Sequence, residues 1–137
     1  MTLSLELVDF DLDGDLDLYR ANGGYHDFTK NSTELRDDLY LNTGDGQFER
    51  AKKTFDLEGS SIAVAGDVNL DGAADLFVAG AIVPGSCPNR YPNRLLRNDG
   101  MGNLTTDTEQ SAALNAHEGI VRDALWTDLN GDGFQDL

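Results

Sequence analysis

Three short acidic segments contain the residues of this chain that could bind a metal ion. They read DFDLDGDLDL from Asp9, DVNLDGAADL from Asp67 and DLNGDGFQDL from Asp128, and we call them loops one, two and three. Each has a carboxylate or amide side chain at positions 1, 3, 5 and 9 and a glycine at position 6. Oxygen ligands of this kind suit a hard divalent cation such as Ca²⁺, which takes about six to eight of them. The sequence therefore predicts up to three Ca²⁺ sites.

Side chains at alternate positions of a tight loop can converge on one ion, and the glycine allows the loop to turn without a Cβ clash. Position 7 is expected to contribute its backbone carbonyl, because loop two has an alanine there and loop three a phenylalanine. Loop one offers four side-chain carboxylates against three in each other loop, so we expect it to bind most tightly. The predicted ligands are Asp9, Asp11, Asp13, Asp15 and Asp17 in loop one, Asp67, Asn69, Asp71, Ala73 and Asp75 in loop two, and Asp128, Asn130, Asp132, Phe134 and Asp136 in loop three.

Helical calcium-binding loops are the first alternative, because the start of an EF-hand or a dockerin loop is similar. Both have a further acidic ligand at position 12 and continue as helix. Position 12 here is Arg20 in loop one and Val78 in loop two, and the residues around them favour strand. The second alternative, acidic turns that hold no ion, is disfavoured because the pattern occurs three times in register. The sequence thus predicts a calcium loop between two strands.

The acidic loops recur at intervals of 58 and 61 residues, and further elements recur with them. A short strand-like run precedes each loop, and another follows each of the first two. A second pair of runs is divided by the glycine-rich turns at 44–46 and 99–102, which are typical of hairpins. Each unit therefore contains four short antiparallel strands in about 60 residues.

Four-stranded units that cannot bury their faces alone favour radial stacking, as in a β-propeller. The predicted fold class is all-β, with four-stranded antiparallel blades of a β-propeller. We expect blade 1 at about 3–58, blade 2 at about 59–118 and the start of blade 3 at about 119–137. Helix is expected only within 108–118, as one turn at most.

The composition excludes several function classes. The 137 residues have a formal charge of −15, which disfavours nucleic acid and anionic membranes as partners. Apolar residues make up 39% and fall into short alternating runs, which argues against disorder and against membrane insertion. A single cysteine, Cys87, excludes an internal disulfide framework. The first residues do not resemble a signal peptide, and the chain stops directly after loop three, so we expect a fragment of a longer protein.

The pattern DxDxDGDxDL followed by LYLNxGDGxF resembles the FG-GAP repeat, called the VCBS repeat in bacterial proteins, which is the blade of the integrin α-chain propeller. The stretch SIAVAGDVNLDGAADLFVAGAIVPG and the residues after it are similar to secreted bacterial proteins of the ASPIC/UnbV group and to cartilage acidic proteins. The resemblance covers essentially the whole chain. It implies calcium loops that join strands one and two on the lower face of a seven-bladed ring, of which this chain would be a fragment. It also implies an extracellular, periplasmic or cell-surface location.

Loops on a rigid scaffold are where recognition usually resides. If the calcium loops and hairpins lie on one face, the connections 21–37 and 80–93 lie on the other. We expect a protein or carbohydrate ligand to bind this opposite face, and the alternative is that its arginines pair with neighbouring carboxylates. The cationic and aromatic residues in or directly after these connections are Tyr25, His26, Phe28, Lys30, Arg36, Arg90, Tyr91, Arg94 and Arg97.

The expected function is that of a calcium-binding, integrin-α-like propeller module of an extracytoplasmic adhesion or ligand-binding protein, with structural calcium. We do not expect an enzyme, because His26 and His117 are a full blade apart and no serine or cysteine nucleophile has a recognisable setting. Two alternatives stay open. The chain could be a non-catalytic accessory part of a larger secreted hydrolase, or a fragment that self-associates to complete a ring.

Overall fold

The computed structural model contains two four-stranded antiparallel sheets, each with its strands in chain order. It describes residues 1–24, 28–30, 32–51, 57–116 and 119–137. The first sheet consists of β1 (Thr2–Val8), β2 (Asp17–Asn22), β3 (Asp38–Asn42) and β4 (Phe48–Arg50). The second consists of β5 (Ser60–Gly66), β6 (Asp75–Gly80), β7 (Arg94–Asn98) and β8 (Leu104–Asp107). The predicted all-β architecture of four-stranded blades is confirmed.

The two sheets repeat each other in register as well as in strand order. Leu18 of β2 pairs with Tyr40 of β3, and Leu76 of β6 pairs with Leu96 of β7. Equivalent residues are therefore 58 apart in the first two strands of each sheet and 56 apart in the last two. The sequence intervals thus correspond to real structural equivalence, which permits position-by-position comparison of the blades.

The hydrophobic core lies between the two sheets, because neither sheet can bury a face by itself. The large residues Tyr19 of β2 and Phe10 of loop one are fully buried. They pack in one cluster with Leu76, Val78 and Leu96 of the second sheet. The remaining buried members of the cluster are Ala21, Leu39, Leu57, Ala63 and Leu104.

A buried carboxylate, Asp37, connects the sheets at the end of the interface where β2 finishes and β3 begins. Its oxygens accept hydrogen bonds from the Tyr19 hydroxyl (2.6 Å), the Asn22 backbone N–H (2.7 Å) and the Ser60 hydroxyl of the second sheet (2.5 Å). Burial raises the pKa of Asp37 to about 6, although these three donors favour the charged form. We call this the Asp37 end of the interface.

The helix prediction was wrong in length. A short helix, α1, spans Thr108–Leu114, which is longer than the single turn expected. Two contacts explain it. The Asp107 carboxylate caps the helix by accepting from the Gln110 N–H (3.0 Å), and the buried Ser111 hydroxyl accepts from the Leu95 N–H of β7 (3.0 Å). No helix among the described residues is long and apolar enough to cross a bilayer.

After α1, residues 119–137 lie beside the second sheet. The Trp126 indole N–H donates to the Val64 carbonyl of β5 (3.1 Å), and Thr127 forms an isolated antiparallel bridge with Asp136. Both histidines considered as catalytic candidates, His26 and His117, lie outside the described residues, as does Tyr25.

Candidate metal centre

Each acidic loop turns through two residues with positive φ, at positions 4 and 6. Position 6 is Gly14, Gly72 or Gly133, as expected. Position 4 is Leu12 or Leu70, both with φ of 60°, and Gly131 in loop three. A left-handed backbone costs a leucine about 1 kcal/mol, so the loop shape must be held by other contacts. The glycine at position 4 of loop three indicates that this position needs a positive φ, and sequence reasoning missed that signal.

Loop one joins β1 to β2 and brings three of its predicted ligands together. Carboxylate oxygens of Asp9, Asp11 and Asp17 all lie within 4.8 Å of one another. The Asp17 carboxylate is fully buried and accepts from the Phe10 N–H (2.7 Å) and the Asn42 N–H of β3 (2.8 Å). Asp17 therefore fixes the cluster to the sheet.

Two oxygens in this cluster are buried without a hydrogen-bond donor. Among the described residues, nothing donates to Asp9 Oδ1 or to Asp11 Oδ1. Burial, followed by repulsion from Asp17, Asp13 and Asp9, raises the pKa of Asp11 above its ordinary value. Burial likewise raises the pKa of Asp17. A divalent cation would satisfy both oxygens and offset the repulsion, so the donor set fits Ca²⁺.

The other two predicted residues of loop one lie outside this carboxylate cluster. The side chain of Asp13 accepts from the Asp15 N–H (2.9 Å), and the Asp15 side chain is exposed. The expected carbonyl contribution of Asp15 stays a prediction.

Loop two has the same backbone shape, but its carboxylates are used differently. Asp67 accepts from the N–H groups of Asp71 and Gly72 at 3.1 and 2.9 Å. Asp71 accepts from the Ala73 N–H (2.9 Å) and the Asn69 amide (2.8 Å). Within the described residues, the Asp, Glu, His and Cys side chains that converge closely enough for a metal ion are those of loop one.

Loop three is exposed, and its side chains support its own turn. Asp128 accepts from the Gly133 N–H (2.9 Å), and Asn130 and Asp132 accept from the N–H groups two residues ahead. Asp136 accepts from the Leu129 N–H at 3.0 Å, as Asp17 does from Phe10 in loop one. Phe134 is half exposed. The ligand roles predicted for loops two and three stay predictions.

Acidic loops one and two, the hairpins and the blade interface meet at one end of the molecule, which we call the metal end. The Phe10 carbonyl of loop one accepts from the Asn98 side chain (2.9 Å) and the Gly102 N–H (3.0 Å) of the second sheet. Asn42 and Asn98 hold equivalent positions, and each N–H donates to the position-9 aspartate of its own loop. Sequence reasoning did not assign them this role, although their interval of 56 residues was the signal.

Arg97 does not lie on the face opposite the loops, where the sequence grouped it. Its guanidinium binds Asp75 of loop two (2.8 Å) and Asp107 (3.1 Å), because β7 carries it to the metal end. Arg36 lies near Glu58 (3.8 Å). Both arginines therefore pair with neighbouring carboxylates, and the expected partner stays a prediction.

Comparison with known proteins agrees with this geometry. The model of the FG-GAP-like repeat matches residues 9–78 and again residues 67–137. The chain belongs to the FG-GAP-like repeat family. The two FG-GAP matches overlap at loop two, and together they contain all three acidic loops and every strand of the two sheets after β1. Neither the curated proteins nor the solved structures gave a significant match.

Proposed function

We propose that this FG-GAP chain is a calcium-stabilised, integrin-α-like propeller module of an extracytoplasmic adhesion or ligand-binding protein. The observation that carries the proposal is the pair of buried oxygens in loop one, Asp9 Oδ1 and Asp11 Oδ1, which lack donors in the described part of the chain. They lie beside the buried Asp17 in a turn between two strands. A cation there would be structural, because it would fix β1 to β2 and the loop to the neighbouring blade.

The location follows from the affinity expected of such a site. Extracellular calcium modules typically have Kd values of about 10⁻⁴–10⁻³ M, which suits a compartment with millimolar Ca²⁺. The cytosol would leave such a site unfilled. We therefore propose that the module works outside the cytoplasm.

Thermal unfolding of two matched variants tests the calcium proposal. Ca²⁺ at millimolar concentration should raise the Tm by several degrees relative to chelator, since a ligand that binds only the folded state stabilises it. Asp11→Asn should lose most of this shift. Asp45→Asn removes the same charge from the exposed 44–46 hairpin and should keep the shift. Equal Tm values in calcium and in chelator for the unmodified chain would contradict the proposal.

We propose that the partner, a protein or a carbohydrate, binds the face opposite the metal end. An apolar groove of about 550 Å³ lies there, between the starts of β1 and β5. Its lining includes Leu3, Phe28, Ile62 and Ile82. Binding to arrays of extracellular proteins and glycans should be lost in Ile82→Asp and kept in Met101→Asp, which changes an exposed residue of the metal end. Binding that survives Ile82→Asp but not Met101→Asp would place the partner at the metal end and contradict the proposal.

A second candidate, self-association, is favoured by the outer face of β1. Leu5 and Leu7 are each 58% exposed, whereas Ala63, the equivalent of Leu5 in the second sheet, is 2% exposed and packs in the core. We propose that a second copy of the chain covers this face, as one blade covers the next. Light scattering should then detect a dimer or larger species, which Leu5→Lys should dissociate. A monomer at every concentration would exclude self-association.

A further inference from the structure

The position-9 aspartates of loops one and two have different second partners, although the loops are equivalent. Asp17 accepts from Asn42 N–H and from Phe10 N–H. Asp75 accepts from the equivalent Asn98 N–H (2.9 Å), but its other oxygen accepts from the Arg97 guanidinium (2.8 Å). A positive charge therefore contacts the fully buried carboxylate of loop two.

Strand register makes this difference a property of the sequence. Asn42 and Asn98 are equivalent, so the residue before each is also equivalent, and these residues are Leu41 in β3 and Arg97 in β7. The third strand of the first sheet thus has a leucine where the third strand of the second sheet has the arginine that contacts loop two. The Arg97 side chain is held in place by a second bond, from Nε to Asp107 Oδ2 (3.1 Å), and Asp107 is itself the cap of α1.

The carboxylate oxygens of loop two need no further cation to be satisfied. Both oxygens of Asp67, of Asp71 and of Asp75 accept hydrogen bonds from protein groups. Loop one has five aspartates and two buried oxygens without donors in the described residues, whereas loop two has three aspartates and is contacted by an arginine of β7.

We propose that Arg97 is a built-in counter-ion of loop two, so that this loop keeps its conformation without a metal ion and binds Ca²⁺ more weakly than loop one. The inference rests on the proposed function for the behaviour of loop one. It assigns Arg97 a positioning role, in which one guanidinium connects the metal loop, β7 and the helix cap. The two complete FG-GAP units therefore differ in their dependence on calcium.

Amide resonances of the intact, ¹⁵N-labelled chain report each loop separately during a Ca²⁺ titration. Gly14 and Gly72 are matched reporters, because each N–H donates to the first aspartate of its loop, at 3.0 and 2.9 Å. Gly14 should respond at a lower Ca²⁺ concentration than Gly72. Arg97→Leu introduces the residue found at the equivalent position of the first sheet, Leu41. It should lower the Ca²⁺ concentration at which the Gly72 resonance is half shifted, the Gly72 midpoint, about tenfold or more, because a nearby positive charge is removed.

Two further variants make the result decisive. Arg94→Leu removes the same charge from the same strand, away from the loop, and should leave the Gly72 midpoint unchanged. Leu41→Arg should raise the Gly14 midpoint about tenfold, and it decides the question if Arg97→Leu does not fold. An unchanged or higher Gly72 midpoint in a folded Arg97→Leu chain would overturn the proposal.

Failure of the calcium proposal itself has a different signature. If Gly14 does not respond to Ca²⁺ in any variant, the proposed function is wrong. The role of Arg97 is then decided in chelator by hydrogen exchange. The Gly72 amide should exchange at least several-fold faster in Arg97→Leu than in Arg94→Leu, because loop two has lost the charge that holds it. Equal exchange rates would remove the counter-ion role as well.

Discussion

At the metal end of the blade interface, two buried carboxylate oxygens have no donor among the described residues, whereas at the Asp37 end both oxygens of the buried carboxylate accept hydrogen bonds. The two ends lie at opposite ends of the same strands, about 16 Å apart for five residues of extended chain. Both connect the first sheet to the second. Under the calcium proposal, one end would depend on an external cation, whereas the other has protein donors for both of its oxygens.

This difference shows that an acidic residue at an interface can have two opposite effects on stability. At the metal end, the proposed divalent cation would offset the repulsion between the carboxylates and turn their negative charge into a stabilising contribution. At the Asp37 end, the same charge is buried with neutral donors, and its desolvation makes the ionised form costly. Interface carboxylates of this fold should therefore be distinguished by whether their oxygens have protein donors.

Phe10→Ala should have the largest effect on the interface. The Phe10 ring is fully buried in the core between the sheets, so truncating it should lower the free energy of unfolding by about 3–5 kcal/mol. Urea denaturation measures this loss. The control is Leu129→Ala, the same position of loop three, where the side chain is 77% exposed and little change is expected. Similar losses in the two variants would mean that the metal end is not fixed by packing.

Asp37→Asn should change how stability depends on pH. The pKa of Asp37 is about 6 in the folded chain against an ordinary value of 3.8, so the folded state binds more protons between these values. Its contribution to stability is complete below about pH 4 and is lost as the pH rises through about 6. The loss approaches about 3 kcal/mol. The variant should therefore match the unmodified chain near pH 4 and exceed it in stability near pH 7.

The second blade supplies the reason to expect that Asp37→Asn folds. Asn93 is the equivalent residue, and its side-chain oxygen accepts from the Gly80 N–H (3.1 Å) just as Asp37 accepts from Asn22. Urea midpoints measured from pH 4 to 7, in constant millimolar Ca²⁺, give the comparison. Subtracting the two curves cancels the titration of all other groups. If the urea midpoints of the variant and of the unmodified chain change with pH in parallel, Asp37 is not a source of the pH dependence of stability.

The repeat made the fold and the metal loops predictable, because each of their features occurs at least twice. The strand order, the hairpins at 44–46 and 99–102 and the glycine at position 6 all follow from recurring residues. Arg97 and Asp37 were not predictable in this way, since each is a position where the two blades differ. Their roles depend on which neighbour a side chain contacts across a strand pair, and the one-dimensional pattern does not contain that information.

Ser60→Ala should have the smallest effect and is the sharpest test of whether the two ends act separately. The variant removes one donor to Asp37, while Tyr19 and Asn22 remain, so we expect a loss of about 1 kcal/mol. The loss should be larger at pH 7 than at pH 4, because the missing bond favours the ionised carboxylate. Ser61→Ala, which removes a hydroxyl bound to the Ala79 carbonyl, should show no such pH dependence.

The same variant should leave the calcium titration of loop one unchanged. Sites that are more than about 10 Å apart and share no partner usually contribute additively. The Gly14 midpoint in Ser60→Ala should therefore equal that of the unmodified chain. A shifted midpoint would show that the two ends are coupled through β2 and β3. A cation at the metal end would then also stabilise the Asp37 end, and the two ends would differ in chemistry without contributing independently to stability.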